Sequence, residues 1–144
     1  MAFYDALTRH FTSGDLLRDA GYVDGKWISD SAAGTFDVLN PATGETLATL
    51  PEMGAAETKA AIDAAYRVQP AWAARPAKER SILLRKWFDL MIAHADELAA
   101  ILTAEMGKPL AEAKGEILYA ASYVEWYAEE AKRINGETIP AASA

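Results

Sequence analysis

The stretch from Leu110 to Ile134 constrains the fold more than any other part of the chain. Read at the helical period, it carries Ile117, Ala121, Val124, Ala128 and Ala131 on one face and Tyr119, Tyr123 and Trp126 on a second. A helix that is apolar on more than one face needs neighbours on more than one side. Residues 1–109 offer few candidates for that second cover. After Asn135-Gly136, a turn pair that should end the helix, come only Glu137 to Ala144. The pattern therefore predicts a helix with more apolar surface than residues 1–109 readily cover.

The elements before it follow from punctuation and period. In Tyr22-Val23-Asp24-Gly25-Lys26-Trp27-Ile28 an Asp-Gly pair separates two short β-prone runs, and Asp-Gly suits the positive φ angles of a tight hairpin. Thr35 to Leu39 alternates like a strand, Asn40-Pro41-Ala42-Thr43-Gly44 is a turn cluster, and Glu45 to Leu50 reads as the returning strand. From Gly54 the period turns helical. A first helix is expected from about Ala56 to Ala73, with Ile62, Ala65 and Tyr66 on one stripe and Val68 paired with Trp72. Pro76 separates it from a second, whose stripe is Leu83, Trp87, Leu90 and Met91 and whose opposite face carries Arg80, Arg85 and Lys86. A break is expected at His94-Ala95-Asp96. A third helix then points Leu98, Ile101 and Leu102 inward and stops at Gly107, with Pro109 just beyond. Trp72 and Trp87 read as core.

The expected architecture is α+β: about four helices preceded by antiparallel β hairpins. Its divisions are an N-terminal arm (1–19), a hairpin region (20–53), a helical layer (54–136) and a tail (137–144).

Composition narrows the chemistry. With 144 residues, 51% hydrophobic and 24% charged, the chain is of globular type. Its net charge of -7 repels phosphate backbones, which argues against a nucleic-acid partner. It has no cysteine, which removes disulfides, thiolate catalysis and cysteine-ligated metals. Two histidines, His10 and His94, cannot build an all-histidine metal site. No apolar run resembles a signal-peptide core or reaches the ~20 residues of a membrane span, so the expected compartment is the cytoplasm.

The residues offer no catalytic constellation. No glycine-rich phosphate cradle is present: Gly107-Lys108 looks like the end of a P-loop, but Pro109 replaces the Ser/Thr, and a helix C-cap reads better. Glu125, Glu129 and Glu130 form an acidic strip that could hold a proton or a metal. Lys132 and Arg133 just beyond favour a solvated helix end. Glu112, Lys114 and Glu116 read the same way, and His94 reads as a hydrogen-bonded structural histidine. Tyr119, Tyr123, Trp126 and Tyr127 either line a pocket or pack as core.

The ordered motifs resemble the start of the NAD(P)-dependent aldehyde dehydrogenases. The resemblance rests on Tyr22 to Ile28, Val38 to Glu45, Ala61 to Ala65, Trp72, Lys78-Glu79-Arg80 and Leu84 to Trp87. It continues through Glu105-Met106-Gly107-Lys108-Pro109 and Leu110 to Ala113, then Gly115-Glu116-Ile117, Tyr119 to Tyr123, Glu125 to Glu130 and Gly136 to Pro140. That last block looks most like the succinate-semialdehyde dehydrogenase branch. The resemblance implies part of an α/β fold in which 54–136 is the helical layer of an incomplete cofactor-binding domain. It implies oxidation of a small aldehyde to a carboxylate, with NAD or NADP taking the hydride. In the family a cysteine thiolate attacks the carbonyl, a glutamate activates the water that cleaves the thioester, and an asparagine and backbone donors hold the oxyanion. All of these, and the glycine-rich cofactor turn, match no position here. The chain alone is therefore expected to have no catalytic residue, cofactor or metal, and to be inactive. The resemblance also implies that Tyr123 and Trp126 line the substrate tunnel of an intact enzyme, and that the partner is a second copy or a complementary chain. A non-catalytic interaction module docking on such a chain is the alternative.

Overall fold

The computed structural model describes residues 16–140. Two antiparallel hairpins come first: β1 (Gly21–Val23) with β2 (Lys26–Ile28), and β3 (Thr35–Leu39) with β4 (Thr46–Pro51). Four helices follow: α1 (Ala55–Ala73), α2 (Ala77–Ala93), α3 (Ala95–Met106) and α4 (Leu110–Glu130). The α+β architecture is the one expected.

Local chemistry explains most boundaries. Asp24 and Gly25 both take positive φ, 50° and 78°, at the β1–β2 turn, as a primed turn requires. In the β3–β4 turn the Asn40 side chain accepts the Ala42 N–H at 2.9 Å, and Gly44 sits at φ 76°. Pro76 and Pro109 stand at the N-caps of α2 and α4, and Gly107 caps α3 in the left-handed region, its N–H bonded to the Thr103 carbonyl at 2.8 Å. His94, at φ -108° and ψ 17°, separates α2 from α3.

One boundary differs from expectation. α4 ends at Glu130, not Ile134. The N–H groups of Lys132 and Arg133 bond to the carbonyls of Glu129 and Glu130, a three-residue reach that tightens the chain into a turn. Arg133 also pairs with Glu130 through its side chain.

α4 packs on both α2 and α3 through Ala113, Ile117, Ala121, Val124 and Ala128, and three of these, Ala113, Ala121 and Ala128, are fully buried. Small residues there let the helix backbones approach closely. The β3–β4 hairpin packs on α3, with Leu47 and Ala48 against Ala104. A bulge between Val38 and Leu39 pairs Leu39 with Thr46 and Val38 with Ala48, so the consecutive residues Leu47 and Ala48 both turn inward. Gly107 lies so close to the same hairpin that a Cβ there would stand 3.1 Å from Pro41 Cγ. Arg67 of α1 reaches Asp24 of the β1–β2 turn at 2.7 Å.

The buried apolar core among the described residues is Leu47 and alanines, and no large side chain is fully buried. Total exposed surface is 10281 Å², where a compact monomer of this mass exposes roughly 7,200 Å². Trp87, expected in the core, is 56% exposed, while Trp72 is half-buried. α2 turns Ser81, Leu84, Phe88 and Met91 inward and leaves Leu83, Trp87 and Leu90 uncovered. On α1, Ile62, Tyr66 and Val68 are also exposed. No described helix is long and apolar enough to cross a membrane.

Candidate functional site

The second face of α4 carries a recess of about 560 Å³. Tyr119, Ser122, Tyr123, Glu125, Trp126, Tyr127, Glu129 and Arg133 line it. All come from α4 and the turn after it, so the recess has one wall. The i, i+4 spacing stacks Tyr119 on Tyr123: the rings meet edge-on at 5.0 Å and 85°, and their hydroxyls share a 2.6 Å hydrogen bond. Ser122 donates to the Tyr119 carbonyl at 2.7 Å. The hydrogen bond to Tyr119, reinforced by repulsion between the two phenols, holds the Tyr123 hydroxyl above the ordinary tyrosine pKa. The Tyr123 phenol thus stays protonated at physiological pH.

Both aromatic residues singled out from the sequence, Tyr123 and Trp126, stand at this recess, half and 62% exposed. The face is therefore not core among the described residues. The sequence reading did not anticipate the Tyr119–Tyr123 hydroxyl pair or the participation of Ser122 and Arg133. The four-residue spacing of the tyrosines was the available signal.

The acidic strip is ion-paired. Glu125 accepts from Arg85 of α2 at 2.7 Å, Glu129 pairs with Lys132 at 2.7 Å, and Glu130 pairs with Arg133. The Lys132 ammonium pulls Glu129 below the usual carboxylate pKa. Lys114 meets Asp96 at 2.6 Å, and Lys108 meets Glu116. His94 faces the buried Glu97 with Nδ1 at 3.3 Å. Among the described residues no cluster of His, Asp and Glu could hold a metal ion.

No glycine-rich turn of the kind that cradles a pyrophosphate lines the recess. Its aromatic wall, whose paired phenols leave one O–H free to donate, suits a small, partly polar organic molecule.

Residues 27–144 match the aldehyde dehydrogenase family. The chain belongs to that family. It is 58% identical over 125 residues to the glutarate-semialdehyde dehydrogenase of Pseudomonas putida, covering 87% of this chain and 26% of that protein. It is 56% identical over 126 residues to the NADP(+) succinate-semialdehyde dehydrogenase of Escherichia coli, again covering 26% of the relative. In three dimensions it superposes on the succinate-semialdehyde dehydrogenase of Burkholderia pseudomallei with TM-score 0.86 and 55% identity, over 92% of this chain and 27% of that one. The chain thus spans about a quarter of the length of these relatives.

Proposed function

We propose that this chain forms the N-terminal part of an aldehyde dehydrogenase that oxidises a small aldehyde bearing a distal acid group, with NAD or NADP as hydride acceptor. The observation that carries this is the identity above 50% to semialdehyde dehydrogenases across most of the chain. The notion of a succinate-semialdehyde substrate broadens accordingly: the similar proteins include enzymes named for succinate, glutarate and sulfolactaldehyde substrates, all acids at the far end. In this reading residues 54–136 are the helical layer of the cofactor-binding domain and 20–53 the hairpin region beside it. Tyr123 and Trp126 form one wall of the passage for the aldehyde. The assembled enzyme is cytoplasmic and homo-oligomeric.

The chain contains no cysteine to attack a carbonyl, and its recess has no glycine-rich turn for the cofactor's pyrophosphate. Alone it carries out no step of the oxidation. Its role is to shape the passage and to cover the rest of the enzyme. The exposed aromatics of α4 also favour a second reading, a module that docks on a complementary dehydrogenase chain without itself acting on substrate.

The test is aldehyde-dependent formation of NADH or NADPH. The chain is assayed alone and after co-expression with the C-terminal three quarters of the Escherichia coli relative. The expected result is no turnover alone, and turnover of succinate or glutarate semialdehyde by the pair in preference to an uncharged aldehyde of equal length. Turnover by the chain alone, or preference for the uncharged aldehyde, overturns the proposal.

A further inference from the structure

A second recess, about 400 Å³, opens where the end of α1, the start of α2 and the end of α4 meet. Its apolar walls are Trp72, Leu84, Tyr127 and Ile134, and Arg80 stands among them. The Nε of Arg80 is buried and has no hydrogen-bond partner. A buried donor left unmatched is costly and rare in finished structures. The carboxylates nearest in sequence and in the recess are already engaged: Glu79 lies 3.9 Å from Arg75, and Glu130 pairs with Arg133. Arg80 also sits in the first turn of α2, where the helix dipole disfavours a cation. The unpaired Nε and the position at the start of α2 therefore both favour an anionic acceptor beside Arg80.

We infer that this recess seats an aspartate or glutamate carried on an apolar segment of the remaining three quarters of the dehydrogenase fold. The Arg80 guanidinium donates to the carboxylate, while Trp72, Leu84 and Ile134 take the neighbouring apolar side chains. The chemistry selects this occupant: Arg80 presents a planar donor suited to a carboxylate, and its Nε is itself shielded and unpaired. The length of the relatives selects its source, because about three quarters of each lies outside the part matched here. Exposed Ile134, 74% accessible, is then covered on assembly. This inference rests on the dehydrogenase reading and names the partner for its helical layer.

The test co-expresses the full chain with the C-terminal three quarters of the Escherichia coli relative and measures the yield and dissociation constant of the complex. Arg80→Met should weaken assembly roughly tenfold to a hundredfold, and Arg80→Lys less, because lysine keeps the charge without the fork. Helical content of each variant is recorded by circular dichroism. As a measurement independent of that variant, Ile134→Cys introduces the only thiol of this chain, and its alkylation should slow about tenfold or more in the complex. Absence of any complex, Arg80→Met assembling as tightly as the parent, or unchanged alkylation at position 134 each overturns the inference. A complex that forms as described yet reduces no NADP+ retains the docking site and defeats the dehydrogenase reading instead.

Discussion

The two faces of α4 share one helix and have opposite fates. The inner face buries Ala113, Ala121 and Ala128 against α2 and α3. The outer face holds Tyr119, Tyr123 and Trp126, larger and more hydrophobic in total, in the open. If hydrophobicity alone set the orientation, the aromatics would be inside. Alanines face inward because α2, α3 and α4 pack closely and leave no volume for rings. The aromatics are then available for a surface that this chain does not supply. Burying what remains exposed of each would contribute roughly 1–2 kcal/mol, so the outer face holds stabilisation that assembly can release.

The sharpest way to break this contrast is to enlarge the inner face. Ala121→Leu should cost about 2–3 kcal/mol in urea unfolding, because the site has no free volume. A cost near zero would mean that the helices are not closely packed. Next is Trp126→Ala on the outer face. In the chain alone it should change stability by less than about 0.5 kcal/mol. In the assembled enzyme the same substitution should weaken assembly or raise KM roughly tenfold. Equal effects in both states would erase the distinction between the faces.

A smaller effect tests the frame that holds α3 and α4. Gly107→Ala should cost about 1–2 kcal/mol, since its φ of 80° disfavours a side chain and Pro41 stands 3.1 Å from the new Cβ. Thermal unfolding of the variant checks this.

The smallest effects are electrostatic and sit at the helix end. By NMR titration Glu129 should ionise below the usual carboxylate range, and Lys132→Met should return it upward. Its folded-state pKa is depressed, so its contribution is present above the unfolded pKa and fades as pH falls through the folded one. Tyr123 has the opposite sign. Its pKa is raised, so its contribution is present below the ordinary tyrosine value and is lost as pH rises through the folded one. Tyr119→Phe should lower the Tyr123 value, because the hydrogen bond leads its causes.

Much of the fold was legible in the sequence because punctuation residues act locally. Asp24-Gly25, Pro76, Gly107 and Pro109 each stop or start an element through their own backbone preferences, and the structure places the boundaries at them. Orientation was harder. The stripe Leu83, Trp87 and Leu90 is a sound amphipathic signal, yet it faces outward because α4 occupies the neighbouring stripe. Periodicity reports that a face is apolar, and only the packing partner decides whether it is covered. The bulge that turns Leu47 and Ala48 inward also left no trace in the sequence pattern. At the site, Tyr123 and Trp126 were visible as an aromatic stripe, whereas the unmatched Arg80 donor was not. A cation in the first turn of a helix was its only local sign.

The central claim is that α4 is finished on one face and completed by a partner on the other. With no native cysteine, single thiols placed at Ala121 and at Tyr123 can be alkylated separately and read by peptide mass. In the chain alone the thiol at 121 should be protected and that at 123 should react freely. With the C-terminal three quarters of the Escherichia coli relative present, the thiol at 123 should slow about tenfold or more while 121 stays protected. A thiol at 123 that reacts equally fast in the complex, or one at 121 that reacts freely in the chain alone, would contradict the account.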